Sequence, residues 1–227
     1  MNNLKKIIKT FKEKCDDWTK EYTDYSIIFN KDLNNLKENE IKYILIGDNP
    51  GNIEADKKRY LVGPAGISAR VFFERYLVDN FNKEVLVLNK TPIYTNVTDG
   101  LKKVDILILQ KTQKYIVSII NDLYKLLKKP VIISGFAGCH KSKGGFIDKT
   151  SKDKNAVGKF FFSELKNVDF GKGNKDLFII KHFSRMSIFD DFTIETYEKY
   201  LENNNFNILE TLGAKYRNEF FLNINSK

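Results

Sequence analysis

Four short, unbroken apolar runs constrain the fold of this chain most. They are Tyr43-Ile44-Leu45-Ile46, Val85-Leu86-Val87-Leu88, Val131-Ile132-Ile133 and Leu177-Phe178-Ile179-Ile180. None is long enough for an ordinary helix, and none contains a charged position. Strands buried on both faces read this way, and such strands belong to parallel sheets covered by helices. The intervening segments supply the helices. Leu4 to Tyr25 repeats Leu4, Ile7, Ile8, Phe11, Cys15 and Trp18 at helical spacing. Pro64 to Asn80 carries Ile67, Val71, Phe72, Tyr76 and Leu77 on one side. Asp105 to Lys128 is a long amphipathic segment, with a break near Gln110 left open. Asp105 suits its start, Lys125, Lys128 and Lys129 its C-terminus, and Pro130 its stop. Val157 to Leu165, Thr193 to Asn203 and Ile208 to Phe220 are further helices, with Thr193 an N-cap candidate.

Strands alternating with helices predict an α/β fold: a three-layer α/β/α arrangement with a central four-stranded parallel sheet. There is no internal repeat and no long linker. One domain over residues 1–227 is expected, with an N-terminal helical extension over about residues 1–40.

Composition narrows the class. At 42% hydrophobic and 30% charged, the chain can bury a core and stay dissolved. No apolar run approaches the ~20 residues that span a bilayer, so no membrane partner is expected. Met1 to Lys14 lacks the apolar stretch and cleavage site of a signal peptide, and the expected location is cytoplasmic. Cys15 and Cys139 are too few for a four-thiolate zinc or iron–sulfur site and are expected as free thiols. No metal and no cofactor is expected. The net charge of +9 permits binding to phosphate backbones. Part of that excess follows from a Lys-, Asn- and Ile-rich composition of the kind AT-rich coding produces. The basic segment around Lys141 and Lys143 suits either an ordinary solvated loop or nucleic-acid backbone contacts.

Ligands of open α/β sheets bind outside the carboxyl ends of the strands. That rule selects Gly47 to Gly51, Asn89 to Asn96, Ser134 to His140 and His182 to Arg185. The first segment, Gly47-Asp48-Asn49-Pro50-Gly51, together with Gly63-Pro64-Ala65-Gly66 has the composition of a phosphate cradle. Neither G-x-G-x-x-G after the first strand nor G-x-x-x-x-G-K-[ST] occurs, which argues against the enzyme classes those motifs mark. Asn49-Pro50-Gly51 also suits a simple tight turn, Asn89 a loop cap, and His182 a structural histidine. His140 reads as a solvated histidine and Cys139 as a small buried residue.

Four of these segments, in order, resemble the uracil-DNA glycosylase superfamily. Ile46-Gly47-Asp48-Asn49-Pro50-Gly51 is similar to its water-activating loop, written G-x-N-P-G in two branches. Tyr60-Leu61-Val62-Gly63-Pro64-Ala65-Gly66 resembles the F-V-G-x-A-G segment of the thermostable branch. Val85-Leu86-Val87-Leu88-Asn89 resembles the second-strand L-L-L-N segment, and His182-Phe183-Ser184-Arg185 stands where the family carries H-P-S. The resemblance spans the chain from the first strand to the fourth. It implies hydrolysis of the N-glycosidic bond of uracil or a related damaged base in DNA, with the base flipped out of the stack. It implies a monomer acting on single- or double-stranded DNA. Asn49 would orient the attacking water, with Asp48 as the alternative. Asn89 would read the base edge, and His182 would donate to the base oxygen as charge develops. Gly47, Pro50 and Gly51 would shape the pocket. Leu61 stands where the family stacks a Phe on the base, with Tyr60 as a substitute. Gly63, Gly66, Ser184, Arg185, Lys141 and Lys143 would contact DNA. The thermostable branch's cluster cysteines are absent. Leu61 and Phe183, both departures from the pattern, keep two other readings open: a non-catalytic DNA- or nucleobase-binding protein of the same fold, and a small-nucleoside hydrolase.

Overall fold

The four apolar runs are strands β1 (Tyr43–Gly47), β2 (Val85–Asn89), β3 (Val131–Ser134) and β4 (Leu177–Ile180). The computed structural model describes residues 3–135, 158–184, 188, 193–203 and 207–222. Among them lie helices α1 (Asn3–Glu21), α2 (Asn52–Lys57), α3 (Pro64–Tyr76), α4 (Phe81–Glu84), α5 (Ile106–Leu127), α6 (Lys159–Leu165), α7 (Ile194–Glu202) and α8 (Ile208–Leu222). The strands pair in parallel in the order β2-β1-β3-β4. All four carboxyl ends therefore open on one edge of the sheet.

Alternation along each strand divides the core into two layers. Ile44, Ile46, Leu86, Leu88, Val131, Ile133, Leu177 and Ile179 pack with residues of α1, α5 and α6. Leu45, Val85, Val87, Ile132, Phe178 and Ile180 pack on the other face with residues of α3 and α4. This is the expected α/β/α arrangement. Helix α8 lies along β4 and bridges both layers: Leu209 and Leu212 join the second cluster, Tyr216 and Phe220 the first. Gly213 permits that close approach, because a Cβ there would lie 2.8 Å from the Phe178 Cβ.

Several expected features are revised. Helix α1 ends at Glu21 rather than Tyr25, and it is a full member of the first layer. Its Leu4, Ile8, Phe11 and Cys15 share a cluster with Ile116, Val117 and Ile120 of α5. Helix α5 runs unbroken past Gln110, and Asp105 caps it by accepting from the N–H groups of Leu107 and Ile108 at 2.8 and 3.3 Å. The buried face of α3 matches its large residues only in part: Phe72, Tyr76 and Leu77 pack on the second cluster, but the first turns do not follow. Ile67 and Val71 are 63% and 54% exposed, while Gly66, Ala69, Phe72 and Phe73 are buried. Small residues win there because the helix is pressed against the preceding chain. A Cβ on Gly66 would lie 1.8 Å from the Leu61 carbonyl oxygen. Cys15 is buried, and its burial, with Asp16 nearby, pushes the thiol pKa far up; a thiol held protonated is unreactive. Cys139 lies outside the described residues. Among the described residues no helix is long and apolar enough to cross a membrane.

Candidate functional site

The strand ends build one cavity of about 350 Å³. Its lining includes Asp48, Asn49 and Gly51 after β1, Leu61 and Gly63 before α3, Asn89 at the end of β2, and His182 after β4. Gly47 and Asn89 are register partners on adjacent strands. The Asn89 amide is packed so closely over Gly47 that a Cβ there would lie 2.5 Å from Asn89 Oδ1. Glycine at 47 is thus a condition for Asn89 to occupy its place. Asn89 is 2% exposed, and its Nδ2 is buried with no hydrogen-bond partner among the described residues. An unpaired buried amide costs on the order of 1–3 kcal/mol. A group left in that state and set in a cavity wall is a donor held ready for a ligand.

Asn49 has its orientation fixed by its neighbours. Its Nδ2 donates to the Pro50 carbonyl at 3.0 Å and to Thr95 Oγ1 at 2.9 Å. Thr95 Oγ1 in turn donates to the Val97 carbonyl at 2.8 Å. A carbonyl only accepts, so the amide nitrogen must be the end facing Pro50. That leaves Oδ1 as the acceptor end of Asn49, which is the end that can hold a water by one of its hydrogens.

His182 has its ring fixed in the same way. The backbone N–H of Ser184 donates to His182 Nδ1 at 3.0 Å, and Ser184 Oγ lies 2.6 Å from the same nitrogen. Nδ1 is therefore an acceptor, and the neutral ring carries its proton on Nε2. Burial pushes the His182 pKa below the ordinary 6.5; Asp48 pulls it up, and Lys90 depresses it further. At neutral pH the ring is an uncharged donor through Nε2. Phe183, where the resembled motif has proline, is fully buried with its ring centroid 5.9 Å from Phe72 and 6.1 Å from Phe73. It anchors the His182–Ser184 turn to the α3 layer.

Asp48 faces inward. It is bonded to the Lys90 ammonium, and its Oδ2 lies 3.8 Å from His182 Nε2. Lys90 also donates to the carbonyls of Ser134 at 3.2 Å and Gly135 at 2.9 Å. Glu54 of α2 holds the other wall. Its Oε2 accepts from the Gly51 N–H at 2.9 Å, three residues before it. Burial raises the Glu54 pKa, against the opposing pull of the N–H groups of Gly51, Leu61 and Val62. The same carboxylate thus ties together the loops that carry Asn49 and Leu61. Among the described residues no group of three or more His, Cys, Asp or Glu side chains comes together to hold a metal.

No protein-family model and no curated protein matches this chain. The inventory of side chains at the strand ends therefore carries the functional question by itself.

Most residues anticipated for the site converge on the cavity: Asp48, Asn49, Gly51, Leu61, Gly63, Asn89 and His182 line it. Gly47 makes room for Asn89, and Pro50 supplies the carbonyl that orients Asn49. Ser184 acts on His182 through both its backbone and its hydroxyl. Two residues go elsewhere. Tyr60 is 1% exposed in the α3 layer, its hydroxyl donating to the Ile28 carbonyl, and it does not line the cavity. Leu61, not Tyr60, forms the wall, in a left-handed conformation with φ of 49°. Gly66 is buried beneath Leu61 and has a packing role rather than one at a DNA surface. Arg185, Lys141 and Lys143 lie outside the described residues, as do His140 and the remainder of that basic segment. Sequence reasoning missed Lys90, Glu54 and Thr95. Only Glu54 left a trace, its three-residue spacing from Gly51 being that of a capping box.

Proposed function

We propose that this chain is a DNA glycosylase-like enzyme that hydrolyses the N-glycosidic bond of uracil or a related damaged base flipped out of DNA. The buried, unpartnered Nδ2 of Asn89 in the wall of a cavity shared with Asn49 and His182 carries this reading. A base edge presents acceptors at the distance and in the plane an amide can meet. The cavity volume, about 350 Å³, is at the low end for small-molecule sites and suits a base with its sugar. The reaction requires a water directed at C1′ of the sugar and stabilisation of the negative charge that moves onto the departing base. Asn49 Oδ1 would accept one hydrogen of that water and set its direction, an orienting role rather than that of a strong base. As the C1′–N bond breaks, the bonding pair leaves with the base, and the proton that the water gives up on bonding to C1′ ends on that base. The Nε2–H of neutral His182 and the Nδ2–H of Asn89 would donate to the base as that charge develops, in a site partly closed to water. The basic charge of the chain would attract the DNA backbone, and a cytoplasmic monomer fits the reading.

One observation favours a second reading. Leu61 and Ile53 line the cavity, and no Phe, Tyr or Trp does so among the described residues. A flipped base would lack an aromatic stacking partner there, as expected of a protein that holds a nucleobase without hydrolysing its bond.

Oligonucleotides bearing uracil, hypoxanthine or xanthine, single- and double-stranded, separate the two. Abasic product from one of them is expected, with Asn49→Ala and Asn89→Ala each lowering the rate by about 100-fold. No product from any substrate, with base-dependent binding retained, selects the second reading. Full activity in Asn49→Ala removes that residue from the mechanism.

A further inference from the structure

Lys90 is the unexpected group at the strand ends. Its side chain is only 3% exposed, yet it follows directly on β2. A buried ammonium is costly unless its hydrogens are all taken. Three acceptors from two neighbouring segments take them: Asp48 after β1, and the carbonyls of Ser134 and Gly135 at the end of β3. Among the described residues, the Asp48 carboxylate is thereby engaged through one oxygen only. One is bonded to Lys90, while the other stops 3.8 Å short of His182 Nε2, beyond hydrogen-bond length. Gly135 keeps the three groups close. A Cβ there would lie 3.1 Å from His182 Cδ2 and 3.3 Å from Asp48 Oδ1.

A carboxylate this near an imidazole normally takes the Nε2–H for itself and charges the ring. Here burial disfavours the charged ring, and the ammonium that engages the carboxylate adds to that effect. We propose that Lys90 is a positioning residue that keeps His182 a neutral hydrogen-bond donor by claiming the Asp48 carboxylate. Among the described residues, the charged groups acting on His182 are Asp48 from the β1 end and Lys90 from the β2 end. Among the described residues, the β3 end brings the uncharged Ser134 and Gly135 to this network. Glu54 of α2 lines the same cavity, and Lys181 precedes His182 in the chain. The use of that donor on a leaving base rests on the proposed glycosylase function. The charge coupling among the three side chains does not.

The test reads the histidine directly, without substrate. The chain has two histidines, so a His140→Gln background leaves one imidazole to follow by NMR against pH. Lys90→Met frees Asp48 to pair with His182, and the midpoint should rise by about one pH unit. Asp48→Asn leaves Lys90 facing the ring, and the midpoint should fall. A merely structural role would loosen the site in both variants and bring both midpoints toward 6.5, the ordinary value. Movement in the same direction, or no movement, overturns the proposal. Should Lys90→Met fail to fold, Asp48→Asn decides alone, and a midpoint that rises or stays overturns it. A null result in the glycosylase assay alongside opposed midpoints would refute the enzymatic reading and leave the coupling standing.

Discussion

Gly47→Ala is the smallest change that should separate placement of Asn89 from everything else. The new methyl would stand 2.5 Å from Asn89 Oδ1, with Asn89 Cγ at 3.7 Å and a Leu61 methyl at 3.8 Å. A carbon–oxygen contact settles at roughly 3.4 Å, so one partner must give by about 0.9 Å. The backbone resists. Gly47 is paired to Asn89 in the sheet, and its carbonyl accepts from Lys90 N–H at 3.0 Å. Gly47 is not among the residues with positive φ, so alanine meets no conformational penalty of its own. The Asn89 amide must therefore swing out of place. An off-rotamer side chain costs about 0.5–1.5 kcal/mol and local overpacking about 1–3 kcal/mol. Urea unfolding should thus show a loss of about 1–3 kcal/mol. A misplacement near 1 Å at the reacting group lowers a rate by about 100-fold, to be read as kcat on a uracil-bearing oligonucleotide. The double variant Gly47→Ala/Asn89→Ala removes the colliding amide. Its stability should recover and its activity should not. Parental stability and parental kcat in Gly47→Ala would refute the claim that this contact places the amide.

Three further outcomes follow from the same geometry. Thr95→Val removes the acceptor that helps orient Asn49; kcat should fall by about tenfold, with KM and thermal stability near the parent's, and a parental kcat would remove Thr95 from the site. Tyr60→Phe leaves the Ile28 carbonyl without its donor and should cost about 1–3 kcal/mol in urea unfolding. Because Tyr60 does not line the cavity, the activity of the folded variant should be parental, and a large loss of kcat would reinstate it as a base contact. Because burial holds the folded-state pKa of His182 below 6.5, the unfolded chain binds the proton more readily. Its contribution is fully present above 6.5 and is lost as pH falls from there toward the folded value; the stability difference between parent and His182→Asn should shrink over that window and stay constant above it.

The sheet was legible because burial on both faces leaves a local mark. Each strand has to be apolar over most of its length, so four runs of three or four residues announced themselves without any knowledge of their partners. The faces of the helices were less legible. In α3 Ile67 and Val71 point outward although Phe72 of the same expected face is buried, and Gly66 and Ala69 complete the buried face because of what lies beneath them. That Leu61 turns left-handed and presses its carbonyl on Gly66 is a tertiary fact with no periodicity to betray it. The N-terminal helix shows the converse. Its apolar spacing was plain, but whether Leu4, Ile8 and Phe11 belonged to an appendage or to the core depended on α5, about 100 residues away.

At the site, the residues that sequence reasoning found are those whose type is unusual where it stands: a glycine or asparagine directly after an apolar run, or a histidine two residues past one. Lysine after such a run is not unusual, since lysine ordinarily marks the return to solvent. What makes Lys90 different is three acceptors arriving from the ends of β1 and β3, and none of them is near it in sequence. Two physical consequences separate these classes of residue. Asn49 and Asn89 carry amides whose hydrogen-bonding capacity is intrinsic, so their type alone suggested the proposed roles. His182 acts through a protonation state, which is set by burial, Asp48 and Lys90 together. A histidine's identity in the sequence leaves that state open between neutral donor and cation. Burial and the two opposite charges around it together favour the neutral ring, and of the trio Asp48, His182 and Lys90 the chain pattern displayed only two members.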